Sequence, residues 1–506
     1  MVEKILMIAI FVAITVFVGL YSRKKASNVS DFVLGGRNVG PWLTAFAYGT
    51  SYFSSVVFVG YAGQFGWNFG VSATWIGIAN ALIGSLLAWE VLGRRTRIMT
   101  KHLGSSTMPD FFQSRYGSRA LKIAASLIIF VFLVPYSASV YKGLSGLFAM
   151  CFGIDFTYCV LGIAILTGIY VIVGGYVATA INDFIQGIIM ITGIIIVIIS
   201  VLNGRGGFTQ AVEQLSQIPS QTAPGLNGAY TSFFGPSPVE LLGVAILTSL
   251  GTWGLPQMVH KFYTIKSEKS IKTGTVISTV FAMIIAGGSY FMGAFGRLYY
   301  TPGPDGKVVF DSIVPTMLSN FSDILIGVVM VLVLSASMST LSSLVIASSA
   351  TFALDFLKGL VVKDMKPKTQ VVIIRLLCGI FVLLSVVIAL NPSTLISTLM
   401  SLSWGALAGA FLGPFLYGLF WKGTTKAAVW TSFFTGIFIT ALNFFRPFAS
   451  PTMAGAIAIV SSLIVVPLVS LITPKPNKEF VDEAFSCYEE KVTVPVRVSM
   501  NGGIEQ

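Results

Sequence analysis

Six hydroxyl side chains fall within nine residues, at Ser335, Ser337, Ser339, Thr340, Ser342 and Ser343, inside a run otherwise rich in Leu, Val, Ala and Met. A lone hydroxyl in an apolar helix commonly bonds the carbonyl four residues back and signifies little. At helical spacing, however, Ser335, Ser339, Ser342 and Ser343 lie near one face, with Thr340 at its border. Hydroxyl and carbonyl oxygens without formal charge suit a hard monovalent cation that must bind and then leave, sodium above all. Asp183 interrupts another apolar stretch, in Ala180-Ile181-Asn182-Asp183-Phe184. A carboxylate at that depth is expensive. It is either a helix N-terminal carboxylate held by backbone amides or part of an ion or proton path. Two more stretches are broken by small and polar residues: Tyr48-Gly49-Thr50-Ser51-Tyr52-Phe53-Ser54-Ser55 and Gly251-Thr252-Trp253-Gly254-Leu255-Pro256-Gln257. Unwound backbone at membrane depth is tolerated only where it is buried or lines a cavity. Two such interruptions at matching places in two halves point to a transporter site, the alternative being close helix packing.

The elements that carry these residues follow from composition. Of 506 residues 55% are hydrophobic and only 10% charged, and the mean hydropathy is +0.83. Soluble chains carry about 25% charged residues. A soluble enzyme, a nucleic-acid binder and a disordered scaffold are excluded, and no nucleic-acid partner is expected despite a net charge of +12. The apolar runs exceed the roughly 9–11 residues of a barrel strand, so the chain is an all-α, polytopic membrane protein with the bilayer as its solvent. Thirteen spans are expected, at about 4–22, 42–66, 72–93, 120–147, 157–175, 181–201, 238–260, 273–298, 322–354, 371–390, 394–421, 427–445 and 453–473. Four cysteines without a CxxC and two histidines argue against a zinc site or disulfide framework.

With the N-terminus outside, alternation places 26 of the 32 Lys and Arg residues, Lys261 among them, in cytoplasmic segments. Lys4, Lys142, Arg205, Arg297, Lys307 and Arg446 remain outside. That asymmetry orients the chain N-out and C-in, in the plasma membrane. Glu90 is expected to pair with Arg94 four residues on, Asp110 to be structural, Asp355 to face the cytoplasm, and Lys142 to attract an anionic solute or snorkel outward.

No GxxxxGK[ST], channel filter or hydrolase motif occurs, so an ion gradient is the remaining energy source and no enzyme activity is expected. One rival is a proton-coupled transporter with Asp183 as the carrier. A membrane-embedded sensor is the other, for which the tail after Pro474 is too short.

Several motifs together resemble the sodium/solute symporter family: Asp31-Phe32-Val33-Leu34-Gly35-Gly36-Arg37 followed by Gly40-Pro41-Trp42; Gly174-Gly175-Tyr176 followed by Asn182-Asp183 and Gln186-Gly187; Met338-Ser339-Thr340-Leu341-Ser342; and Gly413-Pro414, Tyr417-Gly418 and Trp421. The pattern is most similar to the bacterial sodium/proline and sodium/pantothenate members and covers about residues 5–470. The resemblance implies a LeuT-like fold: a 5+5 inverted repeat whose first and sixth core helices are broken. Residues 42–201 would form the first repeat and 238–421 the second. Peripheral helices would lie at 4–22 and 427–473, within one transmembrane domain of residues 1–474, followed by a cytoplasmic tail at 475–506. It implies a main sodium site at the carbonyls of Thr50, Phe53 and Ala336 and the hydroxyls of Ser339 and Thr340. A second sodium ion, bound in some members, would take Asp183, Ser339, Ser342 and Ser343, so one or two ions are expected. Candidate solute-binding residues are Ser51, Tyr52, Ser54, Ser55, Tyr136, Trp253, Pro256, Gln257 and Trp404. Tyr52, Val56 and Thr252 depart from the proline pattern, so proline itself does not follow. The expected function is sodium-coupled import, by alternating access, of a small polar, carboxylate-bearing solute such as an amino acid, pantothenate or a monocarboxylate. A sugar or sialic acid is the alternative cargo.

Overall fold

The computed structural model describes residues 2–22, 29–319, 321–358, 365–391 and 395–488. Arg23, Lys24, Lys25, Lys363, Lys491 and Arg497, all counted in the charge asymmetry, lie outside the described residues, as does the tail beyond residue 488. Among the described residues every element is helical apart from one isolated bridge between Val39 and Ile265.

The elements that matter for the site are α1 (Val2–Ser22), α2 (Pro41–Tyr52), α3 (Ala62–Phe69), α4 (Thr74–Ala81), α5 (Arg94–His102), α6 (Arg119–Phe152), α7 (Phe156–Asn203), α8 (Pro238–Gly254), α9 (Pro256–Thr264), α10 (Glu268–Ala282), α11 (Phe310–Ser319), α12 (Asp323–Thr351), α13 (Pro367–Ala389), α14 (Ile396–Phe420), α15 (Lys426–Phe445) and α16 (Pro451–Ile472). Proline at the first turn starts α2, α8, α9, α13 and α16, where the missing N–H costs nothing.

Nine described helices are long and apolar enough to cross a bilayer, or ten if the bent pair α8 and α9 is one crossing. The thirteen expected spans differ from this at three places. The stretch Val56–His102 counts as one apolar run where two spans are expected, although Gly70, at φ 63° and ψ −141°, breaks the helix between α3 and α4. The helix α7 is 48 residues long and carries helical backbone through Gly174-Gly175-Tyr176, between the expected spans 157–175 and 181–201. At 1.5 Å per residue it would extend about 72 Å, over twice the ~30 Å hydrocarbon core. Its apolar parts divide into Phe156–Ile169 and Ala178–Asn203. Finally α1, at 21 residues, has the length of a span but is not among the nine.

The bundle has an enclosed centre and a lipid-facing rim. The hydroxyl-rich α12 is buried along nearly its whole length, packed on α2, α6, α7 and α13. The helices α13 and α15 expose Leu376, Leu383, Phe434 and Phe438, as a hydrocarbon surround favours. Bare backbones meet where Gly66 faces Gly293: a Cβ on Gly66 would fall 2.1 Å from the Gly293 carbonyl carbon. Small residues permit such close approach between membrane helices.

Candidate functional site

The first interruption is built from local chemistry. The helix α2 ends at Tyr52, because Phe53 is extended (φ −113°, ψ 104°). Ser54 then restarts the helix: its Oγ accepts from Val56 N at 3.2 Å, and its carbonyl accepts from Val57 N and Phe58 N. A short serine is well suited to that capping role. A π-helical turn, Val56–Tyr61, follows. Breaking the helix leaves the last carbonyls of α2 without intrahelical partners. Phe53 N satisfies Gly49 O at 3.3 Å, while Thr50 O and Ser51 O are met from α12.

There Ser339 Oγ lies 3.0 Å from Thr50 O and 3.0 Å from Ala336 O. Thr340 Oγ1 lies 3.2 Å from Thr50 O, 3.1 Å from Ala336 O and 3.4 Å from Ser51 O. The structure therefore gathers Thr50, Ala336, Ser339 and Thr340 of the expected main set, all buried, at the carbonyl end of a helix whose dipole favours a cation. Phe53 sits at the break, its ring stacked on Tyr52 at 4.2 Å. No group of three or more His, Cys, Asp or Glu side chains forms a metal cluster among the described residues. The four oxygens that converge here are neutral, the donor set of a weakly held alkali cation rather than of a transition metal.

The second interruption has a different cause. Leu255 precedes Pro256, which forces it out of the helical region to φ −82°, ψ 122°. The axes of α8 and α9 bend by 47° there. On the α8 side Tyr52 Oη donates to Thr248 O at 2.5 Å, and Thr248 Oγ1 and Ser249 Oγ both donate to Asn80 Oδ1, at 2.8 and 3.0 Å. Tyr48 Oη and Thr252 Oγ1 both donate to Gly84 O, at 2.6 and 3.2 Å. Gly84 lies in a π-helical stretch, Leu82–Leu87, a geometry common at functional sites.

The expected solute residues divide into groups. Tyr52, Tyr136 and Trp404 form an aromatic cluster, with centroids 6.1 Å (Tyr52–Trp404) and 5.8 Å (Tyr136–Trp404) apart. Ser54 lies beside the Tyr136 hydroxyl, which, like Trp404 Nε1, is buried without a well-formed hydrogen bond among the described residues. Ser55 turns away to Val140 O at 2.9 Å, and Trp253 Nε1 is engaged by Ile83 O at 2.9 Å. Ser51 and Gln257 also border a second cluster. Ser51 Oγ is 2.7 Å from Ser343 Oγ, and Gln257 lines a small cavity with Ser343 and Lys261 just past Pro256. Every one of the nine is buried.

In the expected second set no direct hydrogen bond joins Asp183 to Ser339, Ser342 or Ser343 among the described residues. Ser339 is taken by the carbonyls above, Ser342 Oγ donates within its own helix to Ser339 O at 2.8 Å, and Ser343 Oγ accepts from Lys261 Nζ at 3.0 Å. Asp183 is fully buried in the middle of α7, and neither of its oxygens has a hydrogen-bond partner among the described residues, so it is not a helix N-terminal carboxylate held by amides.

Lys261 is a correction to the charge reading. Counted as a cytoplasmic loop charge, it is 2% exposed, because α9 continues past the expected end of its span to Thr264. The signal was available in Phe262-Tyr263, which extend the apolar run. Nor does Glu90 hold Arg94, which pairs with Glu268 at 2.7 Å. Asp355 is buried, accepting from Thr107 Oγ1 at 2.6 Å and pairing with Lys122 at 3.2 Å, while Asp110 meets the same lysine at 2.7 Å.

Each end of the bundle is tied across the core. Val39 N donates to Thr264 O at 3.2 Å and Lys266 N to Val39 O at 3.0 Å, zipping the entry of α2 to the exit of α9. Arg37 reinforces this by reaching Tyr263 O, Thr100 Oγ1 and Ser105 O; burial lowers its pKa. At the opposite end Asp311 of α11 accepts from Ile396 N at 3.2 Å, and burial raises its pKa against the pull of that amide and of Lys142. Lys142 donates to Asn391 O at 2.8 Å.

The Sodium:solute symporter family model matches residues 32–436 of this chain. The chain belongs to that family. A sodium/proline symporter of Staphylococcus aureus (strain JH9) is 30% identical over 495 residues, covering 94% of this chain and 93% of that protein. Among solved structures, a Na+-coupled sialic acid symporter in a substrate-bound outward-open state has a TM-score of 0.75 at 17% identity, covering 94% of this chain and 98% of that one. A nucleobase-cation-symport-1 family transporter in a closed conformation has a TM-score of 0.54 at 14% identity, covering 90% and 99%. At these identities the structural likeness speaks for a shared, LeuT-like fold. This member of the sodium:solute symporter family is a multi-pass membrane transporter, not an enzyme, and sodium is its coupling ion.

Proposed function

We propose that this symporter imports a small polar, carboxylate-bearing solute, an amino acid, pantothenate or a monocarboxylate, together with sodium, by alternating access. The convergence of Ser339 Oγ, Thr340 Oγ1, Thr50 O and Ala336 O across the first break carries the reading. The two hydroxyls now donate to the two carbonyls. Turning each O–H outward presents hydroxyl lone pairs beside the carbonyls, and the Phe53 carbonyl completes the set of five.

Sodium at this point joins the carbonyl end of α2 to α12. It thereby orders Phe53 and Ser54 and, next to them, Tyr52, Tyr136 and Trp404, which with Ser51, Ser55, Trp253, Pro256 and Gln257 form the solute site. The amino end of α9 supplies a positive dipole for a carboxylate. Inward release breaks the ties of Val39 to Thr264 and Lys266. The sodium gradient drives it, with about 2.3 kcal/mol per charge per 100 mV of membrane potential.

The topology belongs to the same reading: thirteen crossings in one domain over residues 1–474, a 5+5 repeat with the two breaks in its first and sixth helices, and the tail in the cytoplasm. The Lys and Arg asymmetry supports an outside N-terminus in the plasma membrane. Uptake of labelled amino acids, pantothenate, monocarboxylates, sugars and sialic acid into proteoliposomes, with sodium replaced by choline at fixed pH, tests the reading. Saturable uptake of one carboxylate-bearing solute that vanishes in choline is expected. Undiminished uptake in choline would favour the proton-coupled alternative, for which a buried Asp183 without hydrogen-bond partners among the described residues speaks.

A further inference from the structure

One charged cluster inside the bundle has no part in the sodium site at the first break. Lys261 lies on α9, and its Nζ donates to Ser343 Oγ of α12 at 3.0 Å. That oxygen is 2.7 Å from Ser51 Oγ of α2. The ammonium lies 5.1 Å from the ring centre of Tyr176, which adds cation–π attraction. Asp183, on α7 with Tyr176, interacts electrostatically with Lys261 while neither of its oxygens has a hydrogen-bond partner among the described residues. Lys261, Ser343, Tyr176, Thr179, Gln257 and His260 line a cavity of about 10 Å³, the room of one water or small ion.

We propose that the Lys261 ammonium stands in for a second sodium ion, so that this symporter binds and moves one sodium per solute. The inference rests on the sodium-symport reading and deepens it. Ser343 and Asp183 are two of the four residues a second sodium would take, and the lysine already holds the first and compensates the second. A carboxylate and an ammonium together are neutral. A sodium ion added beside them would leave one uncompensated positive charge in a medium that solvates it poorly and would share an oxygen with a like charge. The ammonium offers three donors on a flexible stem, and it organises Ser343 and Ser51 as an ion would. Unlike an ion it is not released, so the link from α9 through α12 to α2 is remade in each cycle without drawing on the gradient.

The test counts ions. The full chain, purified in detergent, is titrated to equilibrium with radiolabelled sodium. One ion per chain with a Hill coefficient near one is expected for the wild type and for Lys261→Arg. Two ions per chain with a steeper isotherm are expected for Lys261→Ala, in which Asp183, Ser342 and Ser343 face a space without the ammonium. The double variant Lys261→Ala/Asp183→Asn is expected to return to one. Lys261→Met, which keeps the volume of the stem, replaces the alanine variant if that does not fold. Two ions in the wild type, or one ion still in both Lys261→Ala and Lys261→Met, overturns the tethered cation and leaves sodium symport standing. No sodium bound to the wild type overturns both; where one ion binds, Ser339→Ala weakens that binding about 10–100-fold if the ion sits at the first break, and unchanged binding overturns that placement.

Discussion

Two clusters lie within about two turns of α12, one built of neutral oxygens and the other around a buried charge. At the first break, Ser339 and Thr340 meet the carbonyls of Thr50 and Ala336; every group is neutral, and each hydroxyl has partners. One turn further along, Ser343 meets Lys261, and Asp183 balances that ammonium from α7. Neutral oxygens that satisfy one another can open around a cation and close again when it leaves, at modest net energy either way. A buried ionic pair cannot, because removing either charge strands the other. The first cluster is suited to cargo and the second to a fixed strut.

The comparison is broken most forcefully at the strut. Asp183→Asn leaves the Lys261 ammonium uncompensated and is expected to cost about 3–5 kcal/mol of stability. Thermal unfolding of the purified protein should show a large loss that Asp183→Asn/Lys261→Met largely restores; equal losses in single and double variants would deny the pairing. Next comes the cargo site. Ser339→Ala or Thr340→Ala removes one oxygen from a charged ligand, about 1.5–3 kcal/mol, so the sodium concentration for half-maximal uptake should rise about 10–100-fold with little change in unfolding temperature. Normal uptake without sodium in either variant would remove the assignment. The smallest effect sharpens the boundary between sodium and solute. A Cβ on Gly251 would stand 2.9 Å from Trp404 Cε3 and displace that ring. Gly251→Ala is expected to weaken solute binding by about 1–2 kcal/mol, within the usual range for overpacking. Its sodium dependence should stay unchanged, and a parallel loss of sodium affinity would show the two sites to be inseparable.

How much of this was legible in the sequence depended on whether the cause was local. Pro256 alone forces Leu255 out of the helix, so that break could be read from two residues. Ser54, capping the restart after the first break, is local in the same sense. The partners of the hydroxyls were not local. Ser51 and Gln257, expected as solute ligands, also touch the Lys261 cluster, and Trp253 Nε1 meets the Ile83 carbonyl. Asn80 and the Gly84 carbonyl, which collect four hydroxyl donors from α2 and α8, carried no signal that set them apart from ordinary helix residues. Lys261 was misplaced because a charge count sees only where an apolar run weakens, not whether the helix beyond it stays inside.

By itself the sequence determined the solvent, the helical class and the places where helices must fail. Hydrophobic length, proline and the depth of uncharged hydroxyls act within a few residues of chain. Only the tertiary structure decided which oxygens face one another and which charge answers Asp183, because Thr50 and Ser339, or Lys261 and Ser343, lie far apart in the chain and meet only when α2, α9 and α12 pack. A cation is held by the sum of such meetings, and a charge buried among them is tolerated only where its counter-charge arrives on another helix.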